Sequence, residues 1–105
     1  MSNEQLEQIQ QLEQSLQAHQ AQLQSFQSQL LEVQNAIEEL GQSPASYKLI
    51  GNIMVARKPA ELRDELQSKE EGLKMRVDAL EKQQQRMKER ITKLQQEIMQ
   101  TLKKE

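Results

Sequence analysis

The sequence predicts a mainly α-helical protein, a long antiparallel two-helix coiled coil whose helices are joined by one β-hairpin. Apolar residues recur at heptad spacing in both halves of the chain, and a short β-branched segment interrupts them near the middle. When the halves are laid antiparallel, their apolar layers coincide, so that Leu23 meets Leu80 and Ile9 meets Leu94. We assign a single domain with a first helix over residues 2–41, a hairpin over 46–57 and a second helix over 59–103.

The first helix carries an apolar heptad from residue 9 to residue 40, interrupted at one d position by His19. The antiparallel register places His19 opposite Gln84, and we expect these two side chains to form a hydrogen-bonded polar layer. A slip by one heptad would leave His19 without a partner at a cost of about 1–3 kcal/mol. We interpret this layer as a device that fixes the register, because metal or acid–base chemistry would need convergent ligands that the neighbouring sequence lacks.

The end of the first helix and the start of the second are marked by turn residues. Gly41 follows the last apolar layer, and we expect it to end the helix in a left-handed conformation. Pro59 suits the first turn of the second helix. In the first layer of that helix the heptad sets Leu40 against Arg63, whose long side chain would have to lay its stem along the seam.

Between the helices, residues 47–56 predict a β-hairpin with a type II′ turn at Gly51-Asn52. Both faces are apolar: we expect Tyr47, Leu49, Ile53 and Val55 on one face and Ile50, Met54 and Ala56 on the other. An isolated two-stranded ribbon is marginal in water, and its edges are open. We therefore predict that the hairpin assembles with those of other subunits into a β-barrel platform. The oligomerisation residues are Tyr47, Leu49, Ile50, Ile53, Met54 and Val55.

At the end of the coiled coil that holds both chain termini, polar residues enter the seam and apolar residues leave it. We expect this tip to splay and to offer adaptable apolar contacts to a binding partner. Ordinary irregularity of helix ends would explain the same pattern, and composition alone does not choose between them. The candidate contact residues are Leu6, Ile9, Ile98, Met99 and Leu102.

Composition narrows the classes of function. A chain of 105 residues with one Tyr, one Phe and 29% charged residues cannot build a conventional globular core. The sequence shows no phosphate loop, cysteine or metal cluster and no catalytic constellation, so we expect no enzyme activity, no cofactor and no metal site. Without a membrane span or a secretory leader, we expect a cytoplasmic protein.

The hairpin and the helices together carry a family resemblance. Residues 47–55 read Tyr-Lys-Leu-Ile-Gly-Asn-Ile-Met-Val and link heptad helices, the second of which contains Leu-Glu-Lys-Gln at residues 80–83. The whole chain resembles the beta-type subunit of prefoldin, most of all its archaeal form. The resemblance implies a hexamer of alpha-type and beta-type subunits on a β-barrel platform. It also implies an ATP-independent chaperone that holds non-native polypeptides at the coiled-coil tips and delivers them to a group II chaperonin.

Two other classes of function fit parts of the sequence. A structural scaffold or tether could use the same heptads without holding unfolded proteins. A nucleic-acid-binding helical arm would need a basic face, whereas the net charge is −2 and residues 1–40 hold acidic but no basic side chains. We therefore expect neither nucleic acid nor membrane as a partner.

Overall fold

The computed structural model describes residues 2–104, and for residue 2 it describes the backbone alone. Two helices of 39 and 46 residues flank one two-stranded antiparallel sheet, which confirms the predicted mainly α-helical fold class. The elements in chain order are α1 (Ser2–Leu40), β1 (Ser46–Ile50), β2 (Ile53–Arg57) and α2 (Pro59–Lys104).

The chain forms two compact units, each of which contains part of both helices. The terminal unit combines residues 2–25 of α1 with residues 78–104 of α2, and the hairpin unit comprises residues 26–77. In each unit the buried apolar side chains are mostly those between the two helices, because two paired helices shield only the residues that face each other.

In the terminal unit the core lies between the beginning of α1 and the end of α2. Ile9, Ile91 and Leu94 are buried together, and partly buried apolar side chains pack around them. Beside this cluster, Gln5 Nε2 of α1 donates a hydrogen bond to Glu97 Oε2 of α2 over 3.2 Å. Residues near opposite ends of the sequence are therefore neighbours, so the helices of this unit run antiparallel and Ile9 lies with Leu94, as the heptads predict.

His19 is half-buried in the terminal unit, as is Gln84. The hydrogen-bonded layer expected from the sequence is not formed at His19 Nε2, because this atom is buried without a hydrogen-bond partner among the described residues. A buried polar atom without a partner costs about 1–3 kcal/mol. At this atom the seam therefore lacks the satisfied polar pair that the sequence predicts.

In the hairpin unit, the first layer of α2 differs from the predicted one. Leu62 is buried, whereas Arg63 and Leu66, which the heptad places in the seam, are only half-buried. A straight α-helix drifts by about 20° per heptad relative to a repeat of 3.5 residues per turn. The residue just before position a therefore rotates inward at the start of α2, and Leu62 replaces the Arg63 layer predicted from the sequence.

The end of α1 also departs from the expected geometry. Among the described glycines, Gly51 has a positive φ and Gly41 does not, so the predicted left-handed cap at Gly41 is wrong. Instead, the amides of Gly41, Gln42 and Ser43 each donate to the carbonyl three residues earlier. These 3₁₀-type hydrogen bonds tighten the last turn of the helix and satisfy carbonyl groups that a left-handed cap would otherwise satisfy.

The hairpin has the turn that the sequence predicts. Gly51 has φ of 60°, and no other residue in the described part of the chain has a positive φ. A type I′ turn would need positive φ at both central residues, so the turn at Gly51-Asn52 matches type II′. Ser46 closes the other end of the ribbon, since it is buried and its Oγ donates to the carbonyl of Arg57 over 2.7 Å.

The pairing register of the hairpin places its residues on other faces than the sequence predicts. Leu49 lies opposite Met54, and Ile50 lies opposite Ile53. Residues directly opposite in an antiparallel pair point to the same side of the sheet. One face therefore carries Tyr47, Leu49, Met54 and Ala56, and the other carries Lys48, Ile50, Ile53, Val55 and Arg57. The expected grouping of Tyr47 and Leu49 with Ile53 and Val55 is wrong, because counting alternate residues through a two-residue turn exchanges the faces.

The seam of the terminal unit gives a direct test of this packing. Leu94 is 2% exposed, so Leu94→Ala is expected to lower the free energy of unfolding by about 2–5 kcal/mol through lost burial and the cavity left behind. Leu31→Ala removes the same atoms from a side chain that is 59% exposed and should change stability by less than about 0.5 kcal/mol. Urea denaturation followed by circular dichroism measures both, and equal effects would contradict the buried cluster.

Candidate functional site

Three large apolar side chains are exposed near the chain termini and form what we name the tip patch. Leu6 is 48% exposed, Met99 is 57% exposed and Leu102 is 58% exposed. These three belong to the five tip residues expected from the sequence. Ile9 is buried in the core of the terminal unit and Ile98 packs against it. Ile9 is only 8% exposed and therefore leaves the candidate set, because the seam is still closed at its layer.

The heptad positions place the tip patch on one side of the seam. Leu6 occupies position e of α1, Leu102 occupies position e of α2, and Met99 precedes Leu102 by three residues on the same helix face. In an antiparallel pair, the e positions of both helices flank the same side of the interface. The other flank carries Glu97 at position g, which accepts the hydrogen bond from Gln5. The three apolar side chains therefore lie on one side of the seam and Glu97 lies on the other.

The second apolar surface is the hairpin. Its six predicted oligomerisation residues, which we name the hairpin surface, are between 38% and 68% exposed, and they lie on both faces of the ribbon. They are Tyr47, Leu49, Ile50, Ile53, Met54 and Val55. Both strands are edges of the two-stranded sheet, so their outward backbone groups also face away from the pairing. Exposed apolar side chains and open edges together make this surface suited to pairing with other strands.

One face of the hairpin lines a groove in the same unit. The groove has a volume of about 800 Å³ and is lined by Tyr47, Leu49 and Met54 from the strands and by Leu40 and Leu62 from the helices. Its lining is mostly apolar, with the Lys48 and Glu65 side chains beside it. The apolar area therefore continues from the hairpin surface onto the end of α1 and the start of α2. Leu62, which the heptad places outside the seam, contributes to this extension.

A cluster of charges ties the hairpin to α2. Lys48 Nζ of β1 donates to Glu65 Oε1 of α2, and Arg57 Nη2 of β2 donates to Glu65 Oε2 over 3.4 Å. The hydrogen bond from Lys48 is the largest cause that lowers the pKa of Glu65 below its ordinary value, and the positive charges of Lys48 and Arg57 act in the same direction. We name these three residues the hairpin clamp, since they join both strands to the first turns of α2.

Sequence reasoning missed the hairpin clamp, although a signal for it exists. Lys48 and Arg57 are the two basic residues of the ribbon, and the pairing register places both on the same face. Glu65 lies in the second turn of the helix that follows. A basic pair on one strand face and an acidic residue shortly after the ribbon indicate a contact between strand and helix, but only when the faces are assigned correctly.

The described residues contain neither a candidate metal site nor a candidate membrane-spanning helix. Within residues 2–104, no group of three or more His, Cys, Asp or Glu side chains is arranged to hold a metal ion. Over the same residues, neither helix has a stretch that is long and apolar enough to span a bilayer. The features that stand out chemically are therefore the two apolar surfaces and the charged clamp.

Two paired helices joined by a β-hairpin, with apolar side chains exposed on the hairpin and near the chain termini, define the helical-hairpin class of coiled-coil proteins. A family model described as "Prefoldin subunit" matches residues 3–105. The chain belongs to the prefoldin family, and the resemblance noted from residues 47–55 is confirmed.

Individual relatives agree with this family. The prefoldin subunit beta of Archaeoglobus fulgidus is 34% identical over 99 residues, which cover 90% of this chain and 84% of that protein. The prefoldin subunit beta of Methanothrix thermoacetophila is 36% identical over 101 residues, which cover 93% of this chain and 84% of that protein. The crystal structure of the prefoldin beta subunit from Thermococcus strain KS-1 superimposes with a TM-score of 0.90 at 30% identity, covering 96% of this chain and 91% of that chain.

The pKa of Glu65 provides a test of the hairpin clamp. Because the folded-state pKa is lowered, the clamp contributes to stability above the ordinary pKa of the carboxyl group and is lost as the pH falls through the lowered value. Lys48→Met should raise the pKa of Glu65 towards its ordinary value, and Arg57→Met should raise it less. Carbon-13 NMR titration of the Glu65 carboxyl measures both shifts.

A matched control for this titration is Lys82→Met. Lys82 pairs with Asp78 of the same helix over 3.0 Å, so its removal takes away an exposed lysine outside the clamp. The pKa of Glu65 should not change in this variant. A pKa of Glu65 that is equally insensitive to Lys48→Met would contradict the clamp.

Proposed function

We propose that this chain is a beta-type subunit of an ATP-independent chaperone, which binds non-native polypeptides at the tip patch and delivers them to a group II chaperonin. The observation that carries the proposal is the tip patch itself, three exposed apolar side chains on one side of a helix pair in a member of the prefoldin family. Unfolded chains expose apolar side chains in no fixed arrangement. A shallow patch that includes a flexible methionine suits such partners better than a deep pocket with a defined shape.

The proposed assembly uses the hairpin surface. Strands from an alpha-type subunit and from other beta-type subunits would pair with the open edges of β1 and β2 and close a β-barrel platform. Two features support this arrangement: both faces of the ribbon carry exposed apolar side chains, and the groove beside Leu62 extends the apolar area onto the helices. The hairpin clamp supports it further, since a ribbon held against α2 by Glu65 is already oriented before assembly.

Assembly also supplies the binding strength that one tip patch lacks. Each fully buried Leu or Met side chain contributes about 1.5–3 kcal/mol, and the lost freedom of the partners costs about 4–15 kcal/mol. Three side chains at one tip therefore bind weakly and release readily. Several tip patches joined in one assembly raise the effective concentration and can increase the overall affinity by about 10²–10⁴-fold. Weak single contacts with strong combined binding suit a chaperone that must later release its client.

Replacing the tip patch tests the proposed client site. Leu6→Ser, Met99→Ser and Leu102→Ser together remove the exposed apolar area without entering the buried cluster of Ile9 and Leu94. In the complex with an alpha-type partner, we expect the concentration that half-suppresses aggregation of a denatured client to rise by about tenfold or more, because every beta-type tip loses its contacts. Light scattering measures the aggregation.

The matched control replaces exposed apolar residues outside the tip patch. Leu31→Ser and Met75→Ser change side chains that are 59% and 73% exposed in the hairpin unit, and client suppression should remain unchanged. Native mass spectrometry verifies that both sets of variants still assemble. Suppression that survives in the tip variant would refute the client site, and a stable complex without any holdase activity would favour a structural scaffold.

Charging the hairpin surface tests the assembly. Ile53→Asp and Val55→Asp place two carboxylates on one face of the ribbon, where strand pairing would bury them. We expect the complex with the alpha-type partner to be lost in size-exclusion chromatography, while helicity measured by circular dichroism is retained. Asn52→Asp adds a charge at the exposed turn and should leave assembly intact. A full complex formed by the Ile53 and Val55 variant would exclude the hairpin surface as the interface.

A further inference from the structure

The methionines of this chain lie in distinct environments. The chain has no cysteine, so methionine thioethers are its only sulfur groups. Met99 lies in the tip patch, Met54 lies in the hairpin surface, and Met75 is exposed on α2 of the hairpin unit. Met87 is half-buried at a seam position. Four of the five methionines therefore offer thioether groups of the same chemistry with different exposure and different neighbours.

We propose that Met99 is an oxidation site that switches client binding off. A hydroperoxide such as hydrogen peroxide would convert its thioether to a sulfoxide. The inference rests on the proposed function, because it concerns the regulation of the same tip patch. Oxidation turns a flexible apolar side chain into a polar one, and methionine-containing contact surfaces are disrupted by this change. The other two residues of the tip patch, Leu6 and Leu102, have no group that a peroxide oxidises under the same conditions.

The reaction is a two-electron oxygen transfer. The sulfur lone pair attacks the outer oxygen of the hydroperoxide, the O–O bond breaks and a sulfur–oxygen bond forms. The remaining oxygen leaves as water after proton transfer when the oxidant is hydrogen peroxide. Sulfur is oxidised and the peroxide is reduced, so no further reactant is needed. Methionine sulfoxide reductase reverses the change, and binding at the tip patch would then return.

Oxidation of Met99 should affect client binding, unlike oxidation of the other methionines, because Met99 lies in the tip patch. The sulfoxide dipole at Met99 would sit among the side chains that contact a client, where an unpaired polar group must lose water on binding. Met75 is more exposed than Met99 but lies outside the tip patch, so its oxidation should not change client binding. Met54 belongs to the hairpin surface, which the proposed assembly would cover.

The experiment treats the assembled complex with hydrogen peroxide and maps sulfoxides by peptide mass spectrometry. Client suppression is measured before and after treatment for the wild type, Met75→Leu and Met99→Leu, and each treated value is divided by the untreated value of the same protein. We expect the concentration for half-suppression to rise about fivefold or more on treatment of the wild type and of Met75→Leu. In Met99→Leu, treatment should leave it unchanged. Reductase treatment should restore the wild type.

Each outcome decides the proposal. Loss of suppression that follows sulfoxide at Met99 and is absent from Met99→Leu supports it. Full suppression by wild-type complex in which Met99 is mostly oxidised would overturn it, as would an equal loss in Met99→Leu. Dissociation of the complex on treatment, detected by native mass spectrometry, would assign the loss to the hairpin surface and also overturn it. Failure of the untreated complex to suppress aggregation would instead reject the proposed function itself.

Discussion

The apolar seam between α1 and α2 is the interaction on which the rest of the structure depends. With aromatic residues at 2% of the composition, the chain has few large side chains, and two paired helices provide the shielding that a globular core would otherwise provide. In the terminal unit the buried apolar side chains are Ile9, Leu23, Ile91 and Leu94, with partly buried neighbours around them. Apolar residues that lie outside the seam remain on the surface, and they define the tip patch and the hairpin surface.

The two apolar surfaces differ in the kind of contact they can make. The hairpin surface combines apolar side chains with backbone groups at strand edges, so a partner strand can gain both hydrogen bonds and burial. The tip patch consists of three apolar side chains on helices and offers no strand edge, so a partner there would gain apolar burial alone. The hairpin surface is therefore suited to lasting assembly, and the tip patch is suited to reversible contacts.

Features that depend on repeated or short local patterns can be predicted from this sequence, whereas features that depend on strand pairing cannot. The pairing of Ile9 with Leu94 could be predicted because apolar layers repeat many times and must coincide in one register. The turn at Gly51-Asn52 could be predicted because few residue pairs fit a two-residue loop. The faces of the ribbon predicted from alternating residues are wrong, because a two-residue turn exchanges the faces between the strands. The correct faces follow from the pairing register, which also brings Lys48 and Arg57 to one side and leads to the clamp on Glu65.

The sequence by itself determined the two helices, the hairpin and the antiparallel register, since repeated heptads and a two-residue turn are local patterns with one consistent solution. Only the tertiary structure decided which apolar residues remain exposed. It buried Ile9 and left Leu6 and Met99 accessible, moved Leu62 into the place of Arg63, and left Nε2 of His19 unpaired. The physical reason is that exposure depends on the rotation of each helix relative to its partner, and a small drift from the ideal heptad changes which side chain faces inward.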